Sequence, residues 1–320
     1  MATNVTNAAE TNLIKAAQMK KVREVDFVEQ FGGDILPKLM EVLGVTRQIP
    51  MMEGTTMYVY KTTGQLANNG AVPEGEIIPL SQYERTKTGV GEITLKKWRK
   101  AVSAESIKKS GYDEAVTQTD AKLLKDVQKG IRTDFFTFLS GIVQPAQGTE
   151  GQSGYVPPVG VTVTGDTLQP ALAEAWGQLQ VLFEDDAAEA VYFINPLDIA
   201  DYLGTAQITV QTAFGMNYVE DFLGLGTVIM SSQITEGTFY ATAKENLILY
   251  YLTMNGDIAS AFELTADATG YIGIKSGYQN EERAQIESLI MSGIQFVVEY
   301  ADGGVVGTIG ESGETGATGQ

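Results

Sequence analysis

The sequence predicts an α+β fold in which a mixed α/β lobe is joined to one long helix and to a long two-stranded arm. Three observations predict it. Two β-rich stretches, TTMYVYKTT (Thr55–Thr63) and TKTGVGEITLKKW (Thr86–Trp98), flank GQLANNGAVPEGEIIPLS (Gly64–Ser81). The glycines, prolines and Asn-Asn-Gly of that middle run suit neither a helix nor a strand. Apolar residues recur at threes, fours and sevens from Tyr112 to Ile142. Beyond residue 160, helix-like and strand-like segments alternate, as in a compact α/β lobe.

The elements follow in order. Residues 1–33 form a polar arm in which Lys15, Lys20, Lys21 and Arg23 are followed at once by Glu24, Asp26 and Glu29. Mixed charge of this kind reads as a segment lying on a neighbour rather than on nucleic acid. DFVEQFGGDILPKLMEVLGVTRQIPMMEG reads as helical turns broken at Gly32-Gly33, Pro37 and Gly44. The two β segments of the arm are then joined by a link of about 20 residues, against two to five for an ordinary hairpin. Loops of that length are functional or disordered. KKWRKAVSAESIKKSG places Lys96, Lys97, Arg99, Lys100, Lys108 and Lys109 around Trp98, with Glu105 as the one acid. No helix-turn-helix or similar motif accompanies the patch, so it is read as a salt-bridging contact between subunits.

Val116, Leu123, Val127, Ile131, Phe135, Phe138 and Ile142 give the 112–142 helix its apolar stripe, and Asp113 and Glu114 suit its N-terminal dipole. Such a helix spans about 40–45 Å and serves as a spine. A Gly/Gln/Pro-rich loop, 143–160, marks a boundary. The helix of residues 166–183 is expected to bury Leu168, Leu172, Trp176, Leu179 and Phe183. EAVYFINP is a buried-type strand, LDIADYLG a short helix stopped by Gly204, and GTVIMSSQI a further strand. Two strands surround a turn at Lys244-Glu245-Asn246, a long strand fills 286–310, and the Gly/Thr/Glu-rich tail 311–320 is expected to be disordered.

Composition narrows the chemistry. The chain of 320 residues has neither Cys nor His. Disulfides, the usual zinc sites, Cys nucleophiles and Ser-His-Asp triads are therefore excluded. Gly224-x-Gly226 lacks a third glycine and precedes a strand, so it is no dinucleotide fingerprint. The adjacent carboxylates Asp185-Asp186 and Glu281-Glu282 point apart in any regular element, and no enzyme, cofactor or metal role is expected. No apolar run is long enough for a membrane helix, and the N-terminus lacks the order of a signal peptide. The net charge of −18 divides into +2 over residues 1–140 and −20 over residues 141–320. Halves so different suit either complementary contact between copies or an acidic surface that keeps a protein in solution.

The succession of polar arm, two-stranded loop, long helix, lobe with VYFINPLDIADYL, then TFYATAKENLILYY and a last strand is similar to the major capsid proteins of tailed bacteriophages with the HK97-type fold. The resemblance spans residues 15–310 and rests on segment order. It implies an N-arm (1–33), a peripheral domain beginning at 34–49, and an extended E-loop (50–97). It further implies a peripheral segment (98–163) with the spine helix, an axial domain (164–285) and a returning peripheral strand (286–310).

The function implied is structural: hexamers and pentamers tiling an icosahedral shell around double-stranded DNA. The virion capsid is the implied location, with assembly in the host bacterial cytoplasm. Leu66, Ala67, Val72, Ile77 and Ile78 become the apolar contacts of the E-loop on the adjacent subunit. Because the chain starts almost at the N-arm, a separate scaffolding protein is expected beside a portal protein, the presence of a decoration protein is left open, and Met1 argues against a cleaved leader. DNA is expected to lie near the wall without specific contact. Lys61 and Lys87 sit in the stems of the loop, so covalent cross-linking through a tip lysine is not expected. An encapsulin-like nanocompartment shares the fold and is the alternative; a tail-tube or decoration protein is the other, and would lack the long helix.

Overall fold

The computed structural model describes residues 40, 44–67, 71, 73, 77, 80–145, 147, 158–183, 189–205, 209–213, 216–266 and 270–310. The expected N-arm, the tail 311–320 and Asp185-Asp186 lie outside them. The first half holds β1 (Thr46–Met51), the arm strands β2 (Thr56–Gln65) and β3 (Gln82–Glu92), β4 (Lys96–Ser103), α1 (Ala104–Ser110) and α2 (Gln118–Ser140). Next come β5 (Val161–Gly165), α3 (Leu168–Leu182), β6 (Ala190–Ile194), α4 (Pro196–Thr205), β7 (Gln211–Ala213), β8 (Met216–Val219), β9 (Gly226–Met230) and β10 (Thr238–Ala243). Last are β11 (Leu247–Leu252), α5 (Asp257–Phe262), β12 (Thr265–Ala266), β13 (Ile272–Asn280), β14 (Gln285–Ser292), β15 (Ile294–Val298) and β16 (Gly304–Ile309).

These strands make four sheets: β5-β16-β10-β6-β9-β8-β7, β12-β13-β14-β4, β1-β11-β15, and the arm pair β2-β3. The seven-stranded sheet is covered on both faces, which explains why β6 reads as a continuous apolar run. Alternate residues go to opposite cores. Ala190, Tyr192 and Ile194 pack with Leu168, Leu172 and Leu179 of α3. Val191 and Phe193 pack with Val127, Ile131 and Phe135 of α2. The long helix is thus a spine lying between the seven-stranded sheet and the strands that carry Ile290 and Phe296.

Helix α2 is shorter than the sequence predicts. It runs for 23 residues, about 35 Å, after a π-helical turn at Asp113–Thr117. Lys100 shapes that turn: its Nζ donates to the Val116 carbonyl at 2.8 Å and also meets the Thr119 hydroxyl. Trp176 departs from its expected burial. Ala171 and Ala175 fill the core side of α3, and Trp176 lies on the exposed side. Small residues let α3 sit close to the sheet, and the bulky ring has no room there. Gly204 does not stop α4, which continues to Thr205.

Residues 46–51, expected in helical turns, form strand β1 beside β11. The largest difference is in residues 286–310. The expected single strand is three strands, each in a different sheet. The first break is at Gly293, where a Cβ would stand 2.4 Å from Leu252 Cδ1. After β15, Asn246 anchors the second break: its Oδ1 accepts from Tyr300 N at 2.8 Å and its Nδ2 donates to the Thr242 hydroxyl at 2.9 Å. Asn246 also ends the Lys244-Glu245-Asn246 turn, so the two strands around that turn enter different sheets. The seven-stranded sheet accordingly loses the chain at Ala243 and regains it at Gly304.

Candidate functional site

The arm stands apart from the other sheets. Strands β2 and β3 pair antiparallel from Thr56↔Glu92 to Gln65↔Gln82, with one bulge beside Met57. Its base is held by Met57, 2% exposed, and Ile93, which pack on Ile248, Tyr250 and Leu252. Beyond the base no further strand among the described residues joins the pair. A lone two-stranded ribbon is marginal in water and needs a surface to rest on.

One face of the arm has its own order. Tyr58 and Tyr60 share a face with Lys87, Arg85 and Tyr83 by register. Lys87 Nζ sits 3.4 Å from the Tyr58 ring centre and Arg85 Cζ lies 4.2 Å over Tyr60. These cation–π contacts stiffen the ribbon. The sequence reading missed this ladder, although the period-2 spacing of Tyr58 and Tyr60 could have disclosed it. At the tip, Ala67 N donates to the Ser81 hydroxyl at 3.1 Å and closes the neck. The apolar side chains there face solvent: Leu66 is 73% exposed, Ile77 93% and Leu80 94%. Leu80 is a further apolar tip residue beyond those expected; Val72 and Ile78 lie outside the described residues.

Three cations of the basic patch, Lys96, Arg99 and Lys100, pair with acids of the same chain. Lys96 pairs with Asp134 of α2 at 2.6 Å, and Lys100 with Asp120 at 2.8 Å. Burial pulls the Lys100 pKa below its usual value, and the hydrogen bond and charge of Asp120 partly offset that pull. Lys108 and Lys109 are in the last turn of α1, where cations favour the helix dipole. The Ser103 hydroxyl caps the other end of α1. Lys97, Lys108 and Lys109 point to solvent.

Arg99 reaches Glu287 on the neighbouring strand β14 at 3.5 Å. Glu287 is 1% exposed and accepts from Tyr278 OH (2.6 Å), Asn280 Nδ2 (2.7 Å) and Gln285 Nε2 (2.8 Å). Burial alone raises its pKa; the three donors and Arg99 outweigh burial and hold the carboxyl below its usual range. The stabilisation is therefore complete above the unfolded carboxylate pKa, about 4.3, and is lost as pH falls through the lower folded value. Glu287→Gln should lower stability by about 2 kcal/mol at pH 7. Urea denaturation of the unassembled chain should show this gap closing below about pH 4.

Among the described residues, no helix is long and apolar enough to cross a membrane, and no three acidic side chains come together as a metal site. No protein-family model matches the sequence, and no curated protein matches it. Solved structures do. The mature capsid of bacteriophage PhiM1 matches with a TM-score of 0.58 at 7% identity, over 95% of this chain and 97% of that one. The capsid asymmetric unit of cyanophage A-1(L) matches at 0.54 and 10% identity, over 93% and 99%. The holo-SrpI encapsulin complex of Synechococcus elongatus PCC 7942 matches at 0.52 and 12% identity, over 92% and 93%. The fold is of the HK97 capsid type.

Proposed function

We propose that the chain is the major capsid protein of a tailed bacteriophage, a structural subunit that builds an icosahedral shell from hexamers and pentamers around double-stranded DNA. The observation that carries this reading is the arm: a ribbon anchored at Met57 and Ile93, with an apolar tip in solvent, on a body of the HK97 type. A tip of this kind is complete only on the surface of a second copy. Head-to-tail contacts that close into rings need such an extended, complementary surface. Leu66, Ala67, Val72, Ile77 and Ile78 are the proposed contacts of the tip, and Lys97, Lys108 and Lys109 those of the outward basic patch.

The charge distribution supports the same reading. Residues 141–320 carry 3 basic and 23 acidic residues, by the sequence. A wall with few cations confines DNA without holding its phosphates, so the polymer slides during packaging. Assembly takes place in the bacterial cytoplasm with a separate scaffolding protein and a portal protein; no catalytic step is involved.

The likeness to an encapsulin favours a second reading, a nanocompartment filled with protein cargo. The contents of purified particles separate the two. Particles from infected cells, treated with nuclease and then opened, should release protected double-stranded DNA. Release of a protein cargo without DNA would establish the nanocompartment instead.

A further inference from the structure

A cleft of about 410 Å³ lies between α2 and the strands opposite it. Sites for small molecules span about 300–1,000 Å³. Leu123, Val127 and Ile131 line its helix side; Trp98, Ile294 and Phe296 line the other. Two local rules are broken here together. Gly130 stands in the middle of α2, where glycine is the poorest helix former after proline. Its backbone angles are not left-handed and a Cβ built on it meets nothing within 4 Å, so neither strain nor packing requires glycine.

Ser292, the last residue of β14, is 2% exposed, and its hydroxyl has no hydrogen-bond partner among the described residues. Its register opposite Lys96 turns it toward the helix. Buried polar atoms are normally paired. Both exceptions open on the same cleft, and violations of local rules gather at functional sites.

We infer that this cleft binds a small uncharged amphiphile: an aromatic or branched-alkyl body with one hydrogen-bonding group that reaches Ser292 Oγ. Glycine at 130 keeps the helix wall low enough to admit the body. The ligand is uncharged because the acids at the rim already have cations: Asp134 pairs with Lys96 and Asp126 with Lys122 at 3.1 Å.

The probes are 4-methylphenol and toluene, the same body with and without the hydroxyl, titrated into the purified full chain. The Trp176→Phe background leaves Trp98 as the one tryptophan reporter, since the chain has two. The parent should bind 4-methylphenol saturably, with a change in Trp98 emission. Ser292→Ala should weaken 4-methylphenol about tenfold, leave toluene unchanged, and melt at or above the parent temperature without ligand. Gly130→Leu should keep the fold, by circular dichroism, and abolish binding. The inference is overturned by absence of saturable binding to the parent, by unchanged affinity in both variants, or by a lower unliganded Tm for Ser292→Ala.

Discussion

Replacing residues 66–81 with the dipeptide Asn-Gly yields a chain that folds as the parent does and no longer forms shells. The replaced segment lies beyond the last paired residues of the arm, Gln65 and Gln82. Its apolar side chains Leu66, Ile77 and Leu80 contribute almost nothing to any core within the chain. Asn-Gly is a turn that joins two antiparallel strands without splaying them. Loop-closure entropy changes by only about 0.6 kcal/mol per doubling of length, so cutting the loop eightfold shifts stability by about 2 kcal/mol, toward the folded state. The loss falls on assembly, because in the proposed shell the tip is where one copy rests on the next. Circular dichroism and size-exclusion chromatography, read together, test this: native spectrum, monomer elution and no particles.

Phe135→Ala gives the opposite pattern, a loss of folding stability of about 4 kcal/mol. The ring is fully buried and stands 5.2 Å from Phe136, 5.3 Å from Phe193 and 5.0 Å from Phe296, centre to centre. Phe193 belongs to the seven-stranded sheet and Phe296 to the three-stranded one, so this one side chain ties α2 to both. Domains are stable by only about 5–15 kcal/mol, so the variant sits near the edge of folding. Urea denaturation of the unassembled chain measures the loss. Phe135→Leu, which keeps most of the volume, should lose about half as much. A loss below about 1 kcal/mol in Phe135→Ala would show that the spine is not the junction described.

The arm and the spine were legible because each is written in local pattern. The stripe Val127, Ile131, Phe135 has helical spacing, and the unpaired tip announces itself in glycine and proline. Sheet membership was not legible. Strand β1 pairs in parallel with β11, Thr46 opposite Leu247, and nothing near Thr46 specifies a partner so distant. The same holds for charge. Lys96, Arg99 and Lys100 read as one basic patch, but Asp134, Glu287 and Asp120 come to them from other elements of the fold. Trp176 misled because a large ring at helical spacing looks like core, while Ala171 and Ala175 are what a close helix–sheet contact admits.

In the proposed assembly, the arm of each copy rests on the next and the chain builds a closed shell. Electron microscopy of the full chain, expressed together with its neighbouring genes, tests that claim most directly. The expected result is closed icosahedral particles of hexamers and pentamers in which every arm lies over an adjacent subunit. Monomers or small oligomers alone, with a scaffolding protein present, would contradict it.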